Sequence, residues 1–178
     1  MQKIIFFPIL LTALIFTSCK KEDMPTDGVL LDNGTFEKNG NFNTDGWELH
    51  NCSSDTDVPA GGGNFSLKVS PGSFPDEGYA DYVIENLSGS KTFVLKAWLK
   101  AFDSWPGNVS LRKVSSGGSV SVLGLEATSE NVWVEKTITA TTAFNNGDVL
   151  VVRLSAGSSE VPLTSQYVLC DLISLEEQ

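Results

Sequence analysis

The sequence predicts an all-β fold, a sandwich of about eight to ten strands. Three observations carry this. Short segments alternate apolar and polar residues with a period of two. Clusters rich in Gly, Asn, Ser and Pro separate those segments throughout the chain. No long stretch beyond the N-terminal run keeps the 3.6-residue repeat of an amphipathic helix.

The elements follow in order. "FSLKV" (65–69) sets Phe65, Leu67 and Val69 on one side and Ser66 and Lys68 on the other. "TFVLKAWLKA" (92–101) places Phe93, Leu95, Ala97, Leu99 and Ala101 inward, which turns Lys96, Trp98 and Lys100 outward. "VSLRKV" (109–114), "SVSVLGL" (119–125), "VWVEKTITATT" (132–142), "DVLVVRLSA" (148–156) and "QYVLCDLISL" (166–175) complete the set. The separators are "GGGN", "SPGSFPDEG", "LSGS", "WPGN", "SSGG" and "NNGD". Two sheets packed face to face bury the apolar halves and leave the other faces wet.

The N-terminus reads differently. Lys3 is followed by an apolar run from Ile4 to Phe16 that is short for a bilayer span and ends in small residues, the pattern of a secretory signal. Phe16-Thr17-Ser18-Cys19 resembles a bacterial lipobox, which makes Cys19 the lipidated residue and the anchor to a membrane. "CKKED" resembles a surface-export tag of lipoproteins in some Gram-negative bacteria, so the expected location is the outer membrane, exposed at the cell surface. The predicted organisation is a signal peptide over 1–18, a tether over 19–27 and one β-sandwich domain over 28–178.

The chain carries 12 basic and 22 acidic residues, a formal charge of −10, and a pI near 4.4. Removing the signal takes away one lysine and no acid. Such a surface repels phosphate backbones, which argues against a nucleic-acid partner. With Cys19 assigned to lipid, Cys52 and Cys170 remain. Outside the cytoplasm they either form a disulfide, worth about 3–5 kcal/mol when unstrained, or pack as two buried thiols. The sequence leaves both readings open.

Taken in order, "LLDNGTFE…DGW", "NFSLKVS", "TFVLKAWLKA", "NVWVEKTITATT" and "YVLCDLISL" are similar to the galactose-binding-like jelly rolls. These include the carbohydrate-binding modules attached to xylanases and glucanases. The resemblance spans about Val29 to Glu176. It implies a jelly roll, a carbohydrate ligand and a structural Ca²⁺ held by an acid of the first strand and one of the last. Glu37 and Asp171 stand at those positions, with backbone oxygens near Asp32 to Thr35 as further ligands. The family often has two acids in the last strand, whereas here Leu172 follows Asp171. Ca²⁺ takes six to eight oxygen ligands, and a turn-rich entry such as "LDNG" offers free carbonyls. The residues alone equally allow a solvated Glu37 and an Asp171 that accepts backbone N–H groups.

A protein that grips sugars offers a ring for their C–H faces and polar groups for their hydroxyls. Trp98, between Lys96 and Lys100 on a wet face, fits that description, although a covering loop would remove it. Trp105 in "FDSWPGN" either contacts ligand or plugs the loop, with Asp103 and Asn108 beside it. Tyr79, Tyr82 and Phe74 are further candidates. Trp47 and Trp133 are expected in the core, and His50 on a solvated strand.

Catalysis finds little support. A Ser-His-Asp triad has only His50 to draw on, with no Gly-x-Ser-x-Gly elbow. No His/Cys spacing suits zinc, and the Glu-x-Asp-x-x-Glu pattern of jelly-roll glucanases is absent. The sequence therefore points to a non-catalytic carbohydrate-binding lipoprotein, with a structural or protein-interaction sandwich as the alternative.

Overall fold

A computed structural model describes residues 28–178. The expected signal peptide, Cys19 and the tether lie outside the described residues. Within them the chain forms thirteen strands and no helix. These are β1 (Glu37–Lys38), β2 (Asn41–Phe42), β3 (Trp47–His50), β4 (Cys52–Asp55), β5 (Ser66–Val69), β6 (Gly72–Ser73) and β7 (Gly78–Ile84). Then follow β8 (Gly89–Phe102), β9 (Gly107–Val114), β10 (Val120–Thr128), β11 (Val134–Phe144), β12 (Val149–Ser159) and β13 (Tyr167–Glu177). The excess over the predicted number lies in two-residue and four-residue pieces near the N-terminus, which are too short to show alternation.

Two sheets pack on each other. One has the order β11-β8-β13-β5-β4, the other β10-β9-β12-β7-β3 with β6 running parallel to β12. A small ribbon, β1-β2, stands apart from both. The alternation in β8 is unbroken: Phe93, Leu95, Ala97, Leu99 and Ala101 are fully buried. The first four share one hydrophobic core with Val109, Leu111, Leu150, Val152 and Leu154 of the opposite sheet. Phe36 and Trp47 close one end of that core, with ring centroids 5.3 Å apart. Full burial of such side chains contributes roughly 1.5–3 kcal/mol each, which is what fixes the strand register.

Strand β13 is interrupted. Asp171 pairs with Trp98 and Ser174 with Lys96, so two residues of β13 oppose Ala97 alone. Leu172 adopts a left-handed backbone, φ 50°, within this β-bulge. The far edge of β13 is shared between two segments. β5 pairs with it through Cys170, and beyond the bulge residues 28–34 take over. Ile173 N–H donates to Gly34 O at 2.8 Å and Leu30 N–H to Leu175 O at 2.9 Å. A Cβ at Gly34 would run into the Ile173 carbonyl, so this close approach needs glycine.

The two cysteines are free thiols. Cys52 pairs with Val69 on one side of β5, and Cys170 pairs with Leu67 on the other. A whole strand therefore separates them, about 9–10 Å across the sheet, beyond what a disulfide spans. The free-thiol reading holds, with Cys170 buried and Cys52 only half-buried; desolvation pushes the Cys52 thiol up to about 12.

Candidate functional site

The residues singled out from the sequence do not converge. Lys96, Trp98 and Lys100 lie on the outer face of the five-stranded sheet, as alternation requires, with Trp98 half-buried. Lys100 Nζ is engaged by Asp57 Oδ2 at 2.6 Å, and Trp133 Nε1 donates to Asp57 Oδ1 at 3.0 Å. The segment after β4 thus pins itself across that face. Trp133 is a correction: it is half-buried against Asp57 rather than part of the core, because it precedes β11 and its indole N–H needs a partner.

Trp105 is the plug of its turn. Its indole packs on the core and Nε1 donates to Ala156 O at 2.5 Å. Asp103 accepts from Ser165 Oγ at 3.0 Å. Tyr82 is an inward residue set edge-on to Trp47, with centroids 5.3 Å apart. Trp47 itself is buried, with Nε1 donating to Asn33 O at 2.8 Å. Phe74 is exposed in the turn after β6.

Tyr79 and Asn108 belong to another surface, the outer face of the six-stranded sheet. Residues directly opposite on paired strands share a face, so the register lays out three rows there. The first runs Ala127, Asn108, Ser155, Tyr79, His50. The second runs Leu125, Ser110, Arg153, Asp81, Glu48. The third runs Val122, Arg112, Val151, Val83.

The first two rows hold a connected polar cluster. Arg153 forks onto Asp81, Nε to Oδ1 at 2.7 Å and Nη2 to Oδ2 at 2.5 Å, and Nη1 reaches Glu77 at 3.4 Å. The same guanidinium lies 4.2 Å from the centroid of the Tyr79 ring. His50 stacks on that ring at 5.5 Å and 18°, and its Nδ1 meets Glu77 O. Tyr79 is thereby held upright between a cation and an imidazole. The bond to Asp81 holds the Arg153 guanidinium above its ordinary value. Arg112 differs: its Nε donates to Ser110 Oγ at 2.9 Å, and among the described residues no carboxylate pairs with it. Burial and the neighbouring Arg153 pull it below its ordinary value.

A search for rings reaches this face only through Tyr79, with Asn108 singled out beside Trp105, and overlooks Arg112, Arg153 and Asp81. The signal was present: alternation in "VSLRKV" and "VLVVRLSA" sets Arg112 and Arg153 outward.

Glu37 and Asp171 do meet a common element, the glycine loop 61–64. Glu37 Oε1 accepts from Phe65 N–H at 2.7 Å and from Asn64 N–H. A Cβ at Gly63 would strike the Glu37 carboxylate, and one at Gly62 would sit 2.6 Å from Asp171 Oδ2. Asp171 is fully buried, Oδ1 accepts from Leu172 N–H at 2.7 Å, and Oδ2 has no hydrogen-bond partner. Burial, with a smaller contribution from Glu37, pushes its carboxyl up to about 6. An orphaned buried carboxylate oxygen close to a second carboxylate is a donor set suited to a hard cation. Among the described residues no three acidic, His or Cys side chains are placed to hold a metal ion together, so carbonyls and water would have to complete the shell.

No protein-family model matches the chain, and no curated protein matches it. Solved structures share its fold. A family 16 carbohydrate-binding module is 21% identical, with a TM-score of 0.58, covering 82% of this chain and 98% of its own. TmCBM61, solved with β-1,4-galactotriose, is 13% identical, with a TM-score of 0.53, covering 84% and 99%. The arabinose-bound α-L-arabinofuranosidase MgGH51 is 18% identical at a TM-score of 0.53 over 84% of this chain, which matches 26% of that enzyme. The likeness is one of fold: the chain is an all-β sandwich of the kind found in carbohydrate-binding modules.

Proposed function

We propose that the protein is a non-catalytic carbohydrate-binding protein that holds a poly- or oligosaccharide on the outer face of its six-stranded sheet. The observation that carries this reading is the registered cluster of Tyr79, Asp81, Arg153, Asn108 and Arg112, with Ser110 buried beneath it. It offers donors and acceptors across three adjacent strands beside aliphatic surface, the combination that sugar hydroxyls and C–H faces require. The fold is shared with sugar-binding modules, which supports the reading. Anchoring through a lipid on Cys19 would present the domain at the outer membrane. Glu37 and Asp171 would hold a Ca²⁺ that clamps the seam between residues 28–37, the 61–64 loop and β13, with no chemical role in binding.

The test is affinity electrophoresis of the protein through gels containing soluble polysaccharides. At least one glycan retards the protein, and Tyr79→Ala abolishes the retardation while the melting profile stays cooperative. Retardation by none of a broad panel refutes the proposal. Anchoring is tested separately: Cys19→Ser releases the protein from the membrane fraction.

A second reading has its own observation. Val83, Val120, Val122 and Leu125 are exposed on or beside the same face, and a contiguous apolar patch marks protein interfaces. A partner docked there would be displaced by Val120→Lys, a change outside the three rows that hold Tyr79, Arg153 and Arg112, which leaves a bound sugar in place.

A further inference from the structure

We infer that the outer face of the six-stranded sheet selects acidic glycans, with Arg112 receiving the carboxylate of a uronic acid residue. The inference rests on the sugar-binding reading of that face. It starts from the contrast between two arginines on adjacent strands. Arg153 is satisfied by Asp81 at 2.7 and 2.5 Å and faces Glu77. Arg112 has Ser110 Oγ on its Nε, and among the described residues nothing bonds either of its terminal nitrogens. In a chain with 22 acids and 12 basic residues, a guanidinium left without a carboxylate on a sheet face is a vacant charge pair.

The surroundings sharpen the point. Val122 and Val151 flank Arg112 within its row, and Val83 continues the row beyond Val151. Nearby Asp81 and Glu77 are both engaged by Arg153. A neutral sugar seated here would strip water from Arg112 and return only hydroxyl bonds to a full positive charge, which is costly. A carboxylate neutralises the charge as the ligand covers it, and its two oxygens match the fork of the terminal nitrogens. Val122, exposed beside Arg112, then takes the C–H face of the same pyranose, and Asn108, about 13 Å away along β9, lies within reach of a neighbouring sugar's hydroxyls. The net charge of the protein does not forbid this, because screening at physiological salt confines each charge to about 8 Å. Of the charges acting on one another there, Asp81 and Glu77 are bonded to Arg153, and Arg112 is the one without a partner.

The experiment compares polygalacturonate, alginate and glucuronoxylan with carboxyl-reduced polygalacturonate, dextran sulfate and polyglutamate, using the purified protein and isothermal titration with short oligomers. The expected result is binding to at least one uronate and a loss of about tenfold or more when its carboxylates are reduced. Arg112→Gln produces the same loss against the uronate, and Arg112→Lys restores only part of it because the fork is gone. If reduced and native polymers bind equally and Arg112→Gln changes nothing, the face binds sugar but the acidic selectivity is wrong. Equal binding of dextran sulfate overturns the assignment to a carboxylate, and equal binding of polyglutamate overturns the assignment to a sugar. If neutral glycans bind and no uronate does, this inference falls alone. If no glycan binds, it falls together with the reading beneath it.

Discussion

Arg153 and Asp81 face each other across β12 and β7 in a two-pronged ion pair, with only 20% and 12% of their side chains exposed. The pair also sets Tyr79, because the guanidinium lies 4.2 Å from that ring. Asp81→Asn leaves a half-buried cation with a weaker partner and should cost about 2 kcal/mol, a fall in melting temperature of roughly 5 °C. Glycan affinity should fall with it. Denaturant titration checks the first outcome, through a lower midpoint at unchanged slope, and affinity gels check the second.

The tryptophans divide by role. Trp105 packs on the core and bonds Ala156 O, so Trp105→Ala should destabilise by about 2 kcal/mol or more through the cavity and the orphaned carbonyl. Trp98 stands on the opposite sheet from the Tyr79 cluster, so Trp98→Ala should leave glycan retardation unchanged. Paired melting curves and affinity gels decide both. Retardation lost with Trp98→Ala and kept with Tyr79→Ala would move the site to the other face.

What the sequence made legible follows from where a single period is enforced by burial. The alternation through 92–101 gave the inward set of β8 and the outward position of Trp98, because every second residue there enters the core. The bulge at Leu172 was invisible: the run "CDLISL" reads as alternation or as an apolar stretch, and only residues 28–34 docking on β13 make the extra residue necessary. The proposed ligand face was legible only at Tyr79 and Asn108, for a different reason. Seeking exposed rings selects Trp98 and Trp105, whereas the cluster depends on which strands become neighbours. β9, β12, β7 and β3 are adjacent in space but scattered in sequence, so Arg112, Arg153 and Asp81 carry no local signature. Glu37 and Asp171 were found through resemblance, and their common contact with the 61–64 loop is a matter of topology.

Calcium should stabilise the chain if Glu37 and Asp171 hold it. An ion bound only to the native state adds about 2.7 kcal/mol at one hundred times its dissociation constant. Thermal melts in Ca²⁺ and in chelator should therefore separate by several degrees. Asp171→Asn should abolish the difference, and Gly63→Ala should reduce it by driving a methyl group into the Glu37 carboxylate. Coincident melts in Ca²⁺ and chelator would remove the metal.

In chelator, two carboxylates should give the stability profile opposite slopes. Lys113 Nζ lies 2.8 Å from Asp148 Oδ2, and with the N–H groups of Asn145 and Ser116 it holds that carboxyl down to about 2. Its folded value lies below the ordinary one of about 3.9, so the unfolded chain binds the proton more readily. The stabilisation is complete above about pH 4 and is lost as pH falls toward 2. Asp171 runs the other way. Burial raises it to about 6, so the folded chain takes up the proton first, and stability rises as pH falls from about 6 to 4. The contributions of these two groups place a maximum near pH 4 in their combined profile. Asp171→Asn should flatten the limb above it and Asp148→Asn the limb below. Saturating Ca²⁺ should erase the upper limb in the unmutated chain, since a cation bound to Asp171 opposes its protonation. Denaturant midpoints between pH 2 and 7 test all three, and an upper limb that survives Asp171→Asn would locate the buried titrating group elsewhere.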